Sequence, residues 1–170
     1  EVGKELTGLL SPERLLDVMR NFSLFTRNNK KQRIKIIPRF QQYEGANKIV
    51  QRVIDGNIKK GLIWHFQGSG KSLLMVFAAQ KLRREPALKS PTVIVLVDRT
   101  DLDTQISGIF NASDVANVET TDSIKELQQM LERDTRKIII SMIHKFHDAK
   151  PDMNTRDNII VLVDEAHRTQ

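Results

Sequence analysis

A chain of 170 residues suits one domain with a full hydrophobic core, with room for an N-terminal appendage but not for two complete domains. Its 39% apolar share is modest yet gathered in short dense runs, which excludes a disordered chain, and the lack of cysteine excludes disulfide scaffolds, thiolate metal sites and cysteine nucleophiles. The net charge of +6 is uneven, with Lys and Arg ahead of acids by 13 to 6 over residues 1–60 and acids ahead by 14 to 9 over 98–170, a balance that suits a polyanion partner.

The first element is a helix opened by Ser11 and Pro12, a capping hydroxyl followed by a residue without an amide hydrogen, with Leu15, Leu16, Met19 and Phe22 at helical spacing. The polar, basic run Arg27 to Arg33 reads as a linker before a short strand, Ile34 to Ile37, so residues 1–32 are expected to be an appendage and 33–170 the main domain. From Arg39, the positions Phe40, Tyr43, Val50, Val53 and Ile54 trace a second helical face that Gly56 would end with a left-handed cap. Strand and helix then alternate: strand 62–64, helix 71–84, strand 93–97, helix near 101–109, a short strand near 115–118, helix 122–134, strand 137–140 and strand 159–163. Unbroken β-branched runs mark strands covered on both faces, which predicts a mainly parallel sheet between helical layers, a three-layer α/β fold.

The segment Gln67-Gly68-Ser69-Gly70-Lys71-Ser72 falls between a predicted strand and a predicted helix, where a phosphate-binding loop belongs. Glycines let the backbone curl so that amide hydrogens point inward, and the helix that follows adds its positive end. Lys71 would reach the β and γ phosphates of ATP, and Ser72 would offer a hydroxyl to Mg2+. His65 stands where the strict motif has a further glycine, which suits a looser form of the loop, and is itself read as a packed structural residue. After the last strand, Asp164 could hold the metal and Glu165 could polarise the water that attacks the γ-phosphate.

Asp164-Glu165-Ala166-His167 resembles the second motif of superfamily-two helicases and translocases, whose fold is RecA-like. That resemblance implies that Gln42, with Arg39 just upstream, reads the adenine edge. It also implies that loops holding Arg99 and Thr100, and Ser141, His144 and Lys145, grip the nucleic-acid backbone without reading sequence. The wording from Ile63 to Ser72, from Val97 to Leu102 and from Val163 to Gln170 is similar to the motor subunit of type I restriction enzymes, over nearly the whole chain. Ser141, Met142 and His144 depart from the Thr, Thr and Gln more common there. The resemblance implies ATP- and Mg2+-dependent translocation of double-stranded DNA ahead of cleavage, in a complex with methylase and specificity subunits. The sequence stops soon after Asp164, so the second lobe, its arginine finger and the nuclease domain are expected to lie outside it. Another superfamily-two DNA or RNA helicase is the nearest alternative, and a nucleotide switch or small-molecule kinase a further one. No run approaches the roughly 20 apolar residues that cross a bilayer, and no secretory pattern opens the chain, so a cytoplasmic location without a membrane partner is expected.

Overall fold

The computed structural model describes residues 10–27, 30–66, 68–97, 108–110, 115, 117–121, 123–133, 135–143 and 154–164. Helix α1 (Pro12–Asn21) is followed by strands β1 (Leu24–Arg27) and β2 (Arg33–Ile36), then helix α2 (Phe40–Asp55) and helix α3 (Lys71–Arg84). A single 3-10 turn at Pro86–Leu88 leads to β3 (Thr92–Val97), β4 (Val118–Thr120), helix α4 (Ile124–Glu132), β5 (Ile138–Met142) and β6 (Ile159–Val163).

Strands β3 to β6 form one parallel sheet in the order β4-β5-β3-β6. Period-two alternation sends each strand's residues to opposite faces; β3 and β5 are buried on both, whereas Val161 and Val163 of the edge strand β6 are 46% and 39% exposed. Val93, Val95, Val97, Ile138 and Ile140 join the core beneath α2 and α3, while Ile94, Leu96 and Ile139 pack with Leu127 and Leu131 of α4. This is why β3 and β5 are rich in apolar residues on both faces, and it makes the expected three-layer α/β architecture of a RecA-like lobe. The chain path requires α3 to run back across the sheet. Its last turn brings Arg83 into electrostatic reach of Arg136, just ahead of β5, so its first turn returns to the rim where the strands finish.

Three elements differ from expectation. Residues 62–64, predicted as a strand, pair with nothing among the described residues, and Leu62 and Trp64 are 84% and 89% exposed. An extended segment becomes a strand only beside a neighbour, and β6, at the sheet's edge among the described strands, does not take it up. The linker expected over 27–33 is instead flanked by the paired strands β1 and β2, so the boundary expected at 32/33 falls within this ribbon. In α1, Leu15, Leu16 and Met19 face outward, and the helix packs through Val18 and the fully buried Phe22 that follows it. Phe22 meets Tyr43 and Phe77 at ring distances of 4.9 and 5.6 Å, so the core of the lobe extends upstream of residue 33. The Ser11 hydroxyl makes no capping bond among the described residues, and Pro12 alone supplies the start signal. The helix expected near 101–109 lies largely outside the described residues.

Candidate nucleotide-binding site

The loop ahead of α3 has the backbone that its glycines permit. Gly68 and Gly70 sit at φ +80° and +85°, a region where a Cβ costs about 1–2 kcal/mol. The Ser69 amide closes the turn on the Phe66 carbonyl at 3.3 Å. Gly70 caps α3, and its carbonyl accepts from the Leu74 amide at 3.1 Å. Lys71 and Ser72 then occupy the first turn, half-buried, where backbone amides have no carbonyl of their own helix to bind and the helix dipole is positive. No acid weakens that positive end within the first turn.

Gln42 braces this loop from α2. Its side-chain oxygen accepts from the Arg39 amide at 2.8 Å, and its side-chain amide donates to the Gly70 carbonyl at 3.0 Å. Gln42 is 2% exposed, so both ends of the carboxamide are engaged inside the protein. A Cβ on Gly70 would stand 2.3 Å from the Gln42 nitrogen, which makes the glycine a requirement of the brace as well as of the turn. Arg39 itself is exposed and begins α2 through its backbone. Gly45, one turn further along α2, lets Leu74 come close: an added Cβ would meet the leucine at 3.1 Å and His65 at 3.5 Å. His65 is thus partly buried against α2, as a packed residue.

Asp164 follows β6 and is 7% exposed. Its amide donates to the Leu96 carbonyl at 2.9 Å, and the register of Leu96 with Val163 sets it level with Val97 at the rim where the strands end. The glycine loop that opens α3 faces that same rim, since the helix ends beside Arg136 ahead of β5. The donor set suits a magnesium-bound polyphosphate: Ser69 has a buried hydroxyl without a hydrogen-bond partner in the loop, and Ser72 and Asp164 supply the hard oxygens that Mg2+ selects.

Of the other predicted site residues, Gln67, Arg99, Thr100, His144, Lys145 and Glu165 lie outside the described residues. Ser141 requires a correction. It is 1% exposed inside β5, paired with Leu96, where no nucleic-acid backbone reaches its hydroxyl. It sits one residue too deep because β5 extends to Met142, past the expected end at residue 140.

One polar cluster was not visible in the sequence. Asp17 of α1 accepts from Lys81 of α3 at 2.7 and 2.8 Å, from the Tyr43 hydroxyl at 2.9 Å and from Asn21 at 2.8 Å. Lys81 also reaches Asn47 at 2.6 Å and lies 5.1 Å from the Phe22 ring centre. Burial opposes ionisation of Asp17, but the bonds from Lys81, Asn21 and Tyr43 outweigh it and hold the carboxyl below its ordinary value. Burial, and then the hydrogen bond to Asp17, push the Tyr43 phenol up to about 12. The partners lie 26 and 64 residues from Asp17, and only an acid on the polar side of α1 could have signalled them.

Residues 41–170 match the family described as SWI2/SNF2 ATPase. The chain is 39% identical, over its whole length, to the Type I restriction enzyme HindI endonuclease subunit of Haemophilus influenzae, of which it covers 17%. It is 33% identical over 96% of its length to the Putative type I restriction enzyme MjaIXP endonuclease subunit of Methanocaldococcus jannaschii, covering 16%. Similarity to the Type I restriction enzyme SsaAORF53P endonuclease subunit of Staphylococcus saprophyticus is 34% identity over 65% of this chain and 12% of that one. The chain therefore spans less than a fifth of the curated relatives it matches.

Proposed function

Because this chain belongs to the SWI2/SNF2 ATPase family, we propose that it is the ATP-binding lobe of a type I restriction enzyme's motor subunit, coupling hydrolysis to movement of double-stranded DNA. The reading is supported by the course of α3: it ends beside Arg136, ahead of β5, so the glycine loop that opens it faces the end of the sheet where Asp164 follows β6. The likeness to three endonuclease subunits supports the restriction branch. Methylase and specificity subunits are the protein partners this implies, in the cytoplasm. Among the described residues no helix is long and apolar enough to cross a membrane.

In this reading the loop amides and the first turn of α3 hold the phosphates of ATP, and Lys71 balances charge that grows on them as the terminal phosphoryl leaves. Mg2+, when bound, would supply positive charge that neutralises the phosphates. Ser72 and Asp164 would hold it, and Glu165 would orient the attacking water and take its proton. Gln42 holds the loop in its receiving shape, and its engaged carboxamide would have to exchange partners to read adenine. The family's backbone-gripping role is retained for Arg99, Thr100, His144 and Lys145.

The test is Lys71→Ala in the full-length subunit assembled with its partners. Phosphate release should fall by about 10²- to 10³-fold, and DNA movement in a triplex-displacement assay should stop while the complex still assembles. Unchanged movement would remove Lys71 from the phosphate site. Labelled γ-phosphate should end on water, and its appearance on an added acceptor would mean a kinase instead.

A further inference from the structure

From Val18 to Tyr43 the sequence holds seven Lys or Arg residues and no Asp or Glu. The two-stranded ribbon lies inside this stretch. Its register, Leu24 with Ile36, Phe25 with Lys35 and Thr26 with Ile34, sorts the residues onto two faces. Leu24, 2% exposed, and Ile36 anchor one face to the main core. On the other, Phe25 lies beneath two cations, the Arg33 guanidinium at 4.4 Å and the Lys35 ammonium at 5.9 Å from the ring centre. Lys30, Lys31, Arg33 and Lys35 are all exposed.

A ring attracts cations through its quadrupole without cancelling their charge. Phe25 therefore orders Arg33 and Lys35 on one exposed face of the ribbon. Such a ribbon suits a partner that is itself a line of charge. Duplex DNA carries one phosphate charge per about 1.7 Å of axis, and its major groove, about 12 Å wide, admits a two-stranded ribbon. Ile36 is also only three residues from Arg39, whose amide is bound by the same Gln42 that holds the phosphate loop.

We propose that the β1–β2 ribbon binds the phosphate backbone of duplex DNA through Lys30, Lys31, Arg33 and Lys35. The identity of the polymer rests on the DNA-motor reading, whereas the binding needs no nucleotide. The experiment uses the full-length subunit without ATP and measures the dissociation constant of a short duplex of arbitrary sequence across a salt series. Each phosphate contact contributes about 0.9 to the slope of log affinity against log salt. The variant K30Q/K31Q/R33Q/K35Q should flatten that slope by about 2 to 4, and K30Q/K31Q, which leaves the packing on Phe25 intact, by about 1 to 2. ATP hydrolysis without DNA should be unchanged in both.

Equal slopes in wild type and both variants, with duplex still bound, would overturn the ribbon's role and leave the motor reading standing. The charges would then serve to keep the ribbon's open edges from pairing with other chains. A loss of binding to anionic lipid vesicles, with duplex affinity untouched, would overturn it in favour of a membrane. Failure of the wild-type subunit to bind duplex at any salt would overturn both proposals together.

Discussion

Gly70 carries two constraints at one position. A methyl group there would have to adopt φ +85° and would strike the Gln42 nitrogen at 2.3 Å. Gly70→Ala is therefore expected to break the brace and to destabilise by about 2–3 kcal/mol, the left-handed penalty together with a lost hydrogen bond, measured by chemical denaturation. Gln42→Ala removes only the brace. It should cost about 1–2 kcal/mol and raise the dissociation constant for ATP, and an unaltered affinity in equilibrium titration would show that the loop keeps its shape unaided. Asp17 offers a pH readout. Its carboxyl titrates below the ordinary 3.8, so its contribution is fully present above that value and is lost as pH falls through the lower folded-state value. Asp17→Asn should cost about 1.5–3 kcal/mol at neutral pH, and the difference from wild type should close in acid. The Tyr43 phenol works at the other end of the scale: raised to about 12, its contribution is present below pH 10 and lost as pH rises through 12.

At the level of elements, what could be read in the sequence follows from how local each cause is. Helix α3 and strand β6 match expectation residue for residue, because a glycine loop, an apolar face and an unbroken β-branched run are all local signals. Gly56 ends α2 at φ +65° for the same reason. The predicted strand 62–64 depended on a neighbour in space, and local composition could not report that none of the described strands pairs with it. Of the ribbon, the strand expected at Ile34 to Ile37 appears as β2, whereas its partner β1 was missed because so short a segment is fixed by its pairing in space. Helix α1 shows the limit of periodicity. Leu15, Leu16 and Met19 have the right spacing for a buried stripe, yet the side that packs is drawn in by Asp17 and its three partners. The glycine loop and Asp164 stood out in the sequence by residue type, whereas Gln42 was singled out for adenine and its bond to Gly70, 28 residues away, was not foreseen.

Across the whole molecule, the described residues form two cores on either side of the sheet, and the most exposed apolar side chains outside them fall in one run. Leu62, Trp64 and Phe66 are 84%, 89% and 71% exposed, directly ahead of the loop that would receive phosphate. Trp64 is the sole tryptophan, so its fluorescence reports this segment alone. The 170-residue chain should emit at the red end of the tryptophan range, be quenched readily by iodide and bind a hydrophobic dye. Blue-shifted, protected emission would place the segment in a covered setting.

The salt bridge from Asp17 to Lys81 ties α1 to the helix that opens with the glycine loop. Helix α3 is a stiff rod of about 21 Å, tied near its far end to α1 and carrying at its near end the loop that Gln42 holds. A tug on the polypeptide ahead of Pro12 would thereby be passed along that rod toward Lys71. Mechanical load and nucleotide occupancy would be felt by one and the same helix, at its two tips.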